Sequence, residues 1–176
     1  MLDDSFLTII DAFTAHMKNQ KRLIAFAPLL FVLNHTPAQA GKLASIIIDD
    51  VGNHLEYGRD VIKLPATLTI AILPKTTYAK KLARLAARNN KEVMLHLPMQ
   101  SVEHHQHSPG TLDLHMTRNE FREQLRSNLN SVPYVRGVNN HMGSLLTRHP
   151  GHMTWLMDEL SGMGLSLIHI SEPTRH

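Results

Sequence analysis

Hydrophobic and polar positions along this chain fall into short blocks that alternate between strand-like and helix-like patterns. Leu43 to Gly52 reads L-A-S-I-I-I-D-D-V-G, an apolar run that stops on two adjacent carboxylates, Asp49 and Asp50. A run apolar at successive positions suits a strand buried on both faces, the habit of parallel sheets covered by helices. His54 to Leu64 mixes Leu55, Val61 and Ile62 with Glu56, Arg59 and Asp60, and reads as a short helix closed by Pro65. Ala66 to Leu73 is apolar and β-branched, a second strand ended by Pro74. Thr76 or Thr77 is placed to cap the next helix, which runs to about Arg88. Leu82, Leu85 and Ala86 form its inner face, and Lys80, Lys81, Arg84 and Arg88 form a solvated one.

Glu92 to Leu97 is a third strand, ended by Pro98, and Met99 to Met116 is a long loop holding His104, His105 and His107. An exposed loop gives such histidines no fixed scaffold, so they make a poor specific metal site. Thr117-Arg118-Asn119-Glu120 is a capping box opening a helix with Phe121, Leu125 and Leu129 inside, stopped by Pro133. Tyr134 to Val138 is a fourth strand leading into Asn139-Asn140-His141-Met142-Gly143-Ser144. Pro150 suits the first turn of a last helix, with Met153, Leu156, Met157 and Leu160 packed inward. Strand and helix alternate four times, which argues for an α/β fold, a parallel sheet or barrel of βα units. A complete βα barrel takes about 250 residues and no fewer than roughly 200. Gly41 to Gly164 is too short for one, so an incomplete barrel is expected.

The two ends read differently. From Met17, a basic stretch (Lys18, Lys21, Arg22) precedes an apolar core, Leu23 to Leu33, and a small-residue cleavage signal, Ala38-Gln39-Ala40. This is the order of a secretory signal peptide over 17–40. Residues 1–16 then read as an over-extended start, 41–164 as the folded domain, and the location as periplasmic or secreted, with Gly41 the new N-terminus. Leu165 to His176, L-S-L-I-H-I-S-E-P-T-R-H, resembles a translated sequencing-library adapter and is expected to be foreign to the native chain.

Composition narrows the function classes. With 43% hydrophobic and 19% charged residues, one globular domain is the expectation. A formal charge of +3, scattered along the chain, gives no footprint for nucleic acid. No stretch is long and uncharged enough for an ordinary membrane span. The chain has no cysteine, which excludes disulfides and thiolate zinc sites, but it has 13 histidines.

Three of the four strands end in groups that bind metals or move protons: Asp49-Asp50, His96 and Asn139-Asn140-His141. Taken alone, each has a plainer reading: Asp50 as a helix cap, Asp49 as a solvated strand end, His96 as a core histidine bonded to backbone. If the strands are parallel, all of them share one rim. One carboxylate and two imidazoles make a three-ligand set with an open position, suited to zinc or another divalent cation. Such a cation lowers the pKa of water it holds to about 7, and a second carboxylate beside it can take that water's proton.

I-I-I-D-D-V-G, A-I-L-P, E-V-M-L-H-L-P-M and G-V-N-N-H-M-G-S, in this order, resemble the divergent polysaccharide deacetylase family from Leu43 to about Gly164. The resemblance implies a distorted βα barrel and metal-dependent removal of acetyl groups from N-acetylated sugars. By motif position it implies Asp49 as base and Asp50, His96 and His141 as ligands of a divalent metal, zinc first. Asn139 or Asn140 would orient a ligand or the sugar. The implied partner is a glycan of the cell envelope. Two readings follow: a carbohydrate deacetylase, or a non-catalytic periplasmic protein that keeps the fold and binds glycan or a partner. A phosphatase of the D-x-D type is disfavoured because the two carboxylates are adjacent.

Overall fold

A computed structural model of the chain describes residues 44–103 and 108–168. The expected signal peptide, the start before it, the histidines at 104, 105 and 107, and the tail from 169 lie outside the described residues. Strands β1 (Ile47–Val51), β2 (Thr69–Ile72), β3 (Glu92–Met99), β4 (Val135–Met142) and β5 (Ser166–Ile168) alternate with helices α1 (Leu55–Lys63), α2 (Ala79–Arg88), α3 (Arg118–Ser131) and α4 (Pro150–Gly162). The strands form one open sheet in the order β1-β2-β3-β4-β5, and every neighbouring pair is parallel. The expected α/β architecture is therefore present, in a form consistent with an incomplete barrel. Among the described residues, no helix is long and apolar enough to cross a membrane.

The core follows from the two periodicities. All of β2 is buried, as is β3 after Glu92. Ile62 of α1, Leu82 of α2, Phe121 and Leu125 of α3, and Leu156 and Leu160 of α4 close over the sheet with no exposed surface. Each such side chain contributes about 1.5 to 3 kcal/mol by leaving water. Gly58 lets α1 come close to α2: a Cβ there would stand 2.5 Å from Leu82 Cδ1.

Several elements depart from the sequence pattern, each for a physical reason. β1 is an edge strand, so its apolar run is half-buried and Ile46 is 53% exposed. Pro98 does not end β3; it pairs with His141 inside the strand. β2 ends opposite Leu95, so β3 beyond that point lacks a β2 neighbour, and the missing N–H leaves no ladder bond unmade. Thr76 and Thr77 do not cap α2. Its N-cap is Tyr78, whose N–H donates to Gly52 O at 3.0 Å, while the Thr76 hydroxyl donates to Leu73 O at 2.9 Å. On α4, Met157 faces out at 47% exposure, and His152 joins Leu156 and Leu160 on the inner face. The spacing of four from His152 sets that phase.

Ser166–Ile168, within the segment expected to be foreign, pairs with Gly137–Asn139 of β4. An open strand edge offers its backbone groups to any extended segment, so this pairing needs little from the side chains.

The capping box stands as expected. Glu120 N–H donates to the Thr117 hydroxyl, and Thr117 N–H donates to Glu120 Oε2 at 2.8 Å. The Thr117 N–H, and the Thr117 hydroxyl that also donates to Glu120 Oε2 at 2.8 Å, hold the Glu120 carboxyl below the usual carboxylate range. A depressed folded pKa stabilises above the unfolded pKa, and that stabilisation is lost as pH falls through the folded value. Thr117→Ala should lower the melting temperature by a few degrees at neutral pH. Glu120→Gln should flatten the acid-side loss of stability. Thermal melts between pH 3 and 7, a range chosen around the ordinary carboxylate values, check both; unchanged melts would remove the cap's role.

Candidate metal centre

Two backbone features bring the rim residues together. The first is a bulge in β1. Ile48 pairs with Ile70 and Val51 with Ile72, so one extra residue lies between the two pairs. The bulge holds Asp49 and Asp50, with Asp50 in the left-handed region at φ 60°. Adjacent residues of a regular strand point to opposite faces; a bulge re-aims one of them. Both carboxylates consequently reach the same histidine. Gly52, at φ 142°, completes the turn beneath Thr76, where a Cβ would lie 2.2 Å from Thr76 Oγ1.

The second feature is the register of β3 and β4. His96 stands opposite Asn139. His141 is two residues further along β4 and so shares Asn139's face. β4 extends through Asn139-Asn140-His141 instead of stopping at Val138, which puts these residues on a rigid strand.

The resulting geometry is tight. Asp50 Oδ1 lies 3.2 Å from His96 Nε2 and 3.1 Å from His141 Nδ1. The two histidine nitrogens are 3.2 Å apart, and the rings meet edge to face at 4.9 Å. Behind them, Asn139 is fully buried. Its Nδ2 donates to Asp49 Oδ1 at 2.8 Å, and its Oδ1 is 3.0 Å from His96 Nδ1. A carboxylate can only accept, so the amide must present its NH₂ to Asp49 and its oxygen to His96. His96 therefore carries its proton on Nδ1 and keeps the Nε2 lone pair for the cluster. Asp49 Oδ1 is 3.8 Å from His96 Nδ1, at the back of the same ring. Burial first, then the neighbouring His96, push the His141 pKa down, against the pull of Asp50. That keeps His141 neutral and able to ligate at neutral pH.

Asp50, His96 and His141 can hold a metal ion: one donor atom from each lies within 4.8 Å of the others. Bonds of about 2.0 to 2.2 Å to zinc place ligand atoms roughly 3 to 4.5 Å apart, which these separations meet. His96 is 4% exposed, as a core histidine would be, yet both its ring nitrogens face the cluster instead of the backbone. Asn140 faces differently from Asn139; its Nδ2 donates to Met142 O at 2.7 Å, steadying the turn after His141.

The sequence reading passed over Gln100. It is 8% exposed; its Oε1 accepts from Leu114 N–H at 2.8 Å, and its carbonyl accepts from the N–H groups of Leu145 and Leu146. It thus ties together the loops after β3 and β4. A polar residue directly after an apolar strand was the only signal.

Asn139→Leu removes both bonds at once. It should weaken cation binding by about 10- to 100-fold, the usual cost of losing an orienting partner, with far-UV circular dichroism retained. Competition against a fluorescent zinc chelator measures this; unchanged affinity would detach Asn139 from the centre.

Residues 46–174 match the family described as divergent polysaccharide deacetylase. The protein YibQ of Escherichia coli, described as uncharacterized, is 36% identical over 146 residues, covering 83% of this chain and 45% of YibQ. An uncharacterized Haemophilus influenzae protein is 35% identical over 140 residues, covering 80% of this chain and 49% of its own length. The chain thus spans about half the length of these curated relatives. A crystal structure of an uncharacterized protein from Agrobacterium tumefaciens C58 has the same fold, with TM-score 0.69 at 16% identity over 74% of this chain and 54% of that one. The fold is thus that of a known group, and the chain belongs to the divergent polysaccharide deacetylase family.

Proposed function

We propose that this protein is a metal-dependent carbohydrate deacetylase that removes N-acetyl groups from an envelope glycan. The observation that carries this reading is the convergence of Asp50, His96 and His141 within 4.8 Å, with Asp49 tied to the same cluster through Asn139. Asp50 Oδ1, His96 Nε2 and His141 Nδ1 would hold the cation, zinc first among divalent metals with this N/O set. When bound, such a cation supplies an acidified water and polarises an amide carbonyl. Asp49 would take the proton from water as the oxygen adds to the acetyl carbon; the C–N bond then breaks, releasing acetate and the sugar amine, which takes up that proton. Asn139 keeps Asp49 Oδ1 occupied and directed, leaving Oδ2 as the basic atom.

Asp50 is open to solvent, its side chain 64% exposed, so a bulky glycan can approach from that side. Export is part of the proposal and rests on the basic, apolar and A-Q-A order of residues 17–40.

Asp49→Asn separates base chemistry from metal binding. It should cut acetate release from N-acetylated oligosaccharides by about 10²- to 10⁴-fold, the range for a positioned general base. Bound zinc, measured by elemental analysis, should stay the same. If the unaltered protein binds zinc and glycan but releases no acetate, the non-catalytic binding reading replaces this one.

A further inference from the structure

We propose that His149 and His152 form a second site for a divalent transition-metal cation, separate from the Asp50–His96–His141 cluster. The pair sits at the start of α4, with His149 at the N-cap and His152 in the first turn. Their Nδ1 atoms face each other at 3.2 Å, and their rings are nearly perpendicular, at 83°. Two imidazole nitrogens bound to one zinc at about 2.0 to 2.1 Å in tetrahedral geometry stand at about this separation. The pair is therefore set for a cation without rearrangement.

The surroundings fix which atoms are available. His152 is 8% exposed, and its ring packs on Trp155 at 4.5 Å and Phe121 at 5.8 Å. Its Nε2 is sealed in the interior, on a ring that the backbone of Met116 and Leu114 also approaches, so Nδ1 is the atom left for a ligand. His149 is exposed and leaves the remaining coordination positions to water. Burial and the adjacent His149 push the His152 pKa down, and the positive end of the helix acts in the same direction. Both keep the ring neutral, the form that ligates. Asp113, on the loop before α3, acts on His152 with the opposite sign and supplies negative charge near the pair. Neutral imidazole pairs favour late first-row cations, Cu²⁺ above Ni²⁺ and Zn²⁺. This inference does not rest on the deacetylase reading.

The chain has a single tryptophan, and Trp155 lies against His152, so its fluorescence reports on this site. Titrating the chain with Cu²⁺ should give saturable quenching that excess EDTA reverses. His149→Ala, an exposed position, should shift the midpoint upward by about tenfold or more through loss of the second donor. His141→Ala should leave the midpoint where it was. His149→Gln repeats the comparison if the alanine variant alters far-UV circular dichroism. Absence of saturable quenching, quenching unchanged by both His149 variants, or loss of quenching in His141→Ala would each overturn the proposal and leave the pair as a plain imidazole–imidazole hydrogen bond.

Discussion

The buried amide of Asn139 is the contact on which the rest of the rim depends. From β4 it joins the carboxylate of Asp49 on β1 to the imidazole of His96 on β3. Its bond to His96 is buried and its bond to Asp49 part-buried; a buried polar group left unpaired costs about 1 to 3 kcal/mol. The amide can satisfy both partners in only one orientation. That orientation sets the His96 tautomer and bares Nε2 toward Asp50 and His141. A single residue with no exposed surface thus determines which atoms of Asp49 and His96 are left to face the open side.

The sheet supplies this geometry through register and irregularity together. Parallel pairing of His96 with Asn139 aligns one histidine with the amide, and the two-residue repeat of β4 brings His141 to the same face. Regular pairing would still send Asp49 and Asp50 to opposite faces. The β1 bulge, with Asp50 at φ 60°, resolves that conflict. Aspartate tolerates the left-handed region better than most residues, and the backbone cost is offset by the contacts of Asp50 with both histidines.

Element type was legible in the sequence because periodicity and punctuation agreed. The I-I-I-D-D run, the Thr117–Glu120 capping box and Pro150 at the head of α4 each carried a local signal that the structure keeps. The shared rim of Asp49, Asp50, His96 and His141 was also legible, since parallel strands place their ends together. What the sequence hid were features set by neighbours. Pro98 continues a strand only because β2 stops short of it. Tyr78 begins α2 because Gly52 O accepts its N–H. The bulge has no marker in two adjacent aspartates. Asn139 and Asn140 look equivalent as text, yet alternation buries one and turns the other toward Met142 O.

Asp50, His96 and His141 present one donor atom each within 4.8 Å of one another, spaced for a single cation. Anomalous diffraction at the zinc edge, from crystals of the chain grown with zinc, tests that shared site most directly. The expected result is a peak bonded to Asp50 Oδ1, His96 Nε2 and His141 Nδ1 at about 2.0 to 2.2 Å. No peak there in crystals at saturating zinc, or His96 ligating through Nδ1, would rule out that shared site.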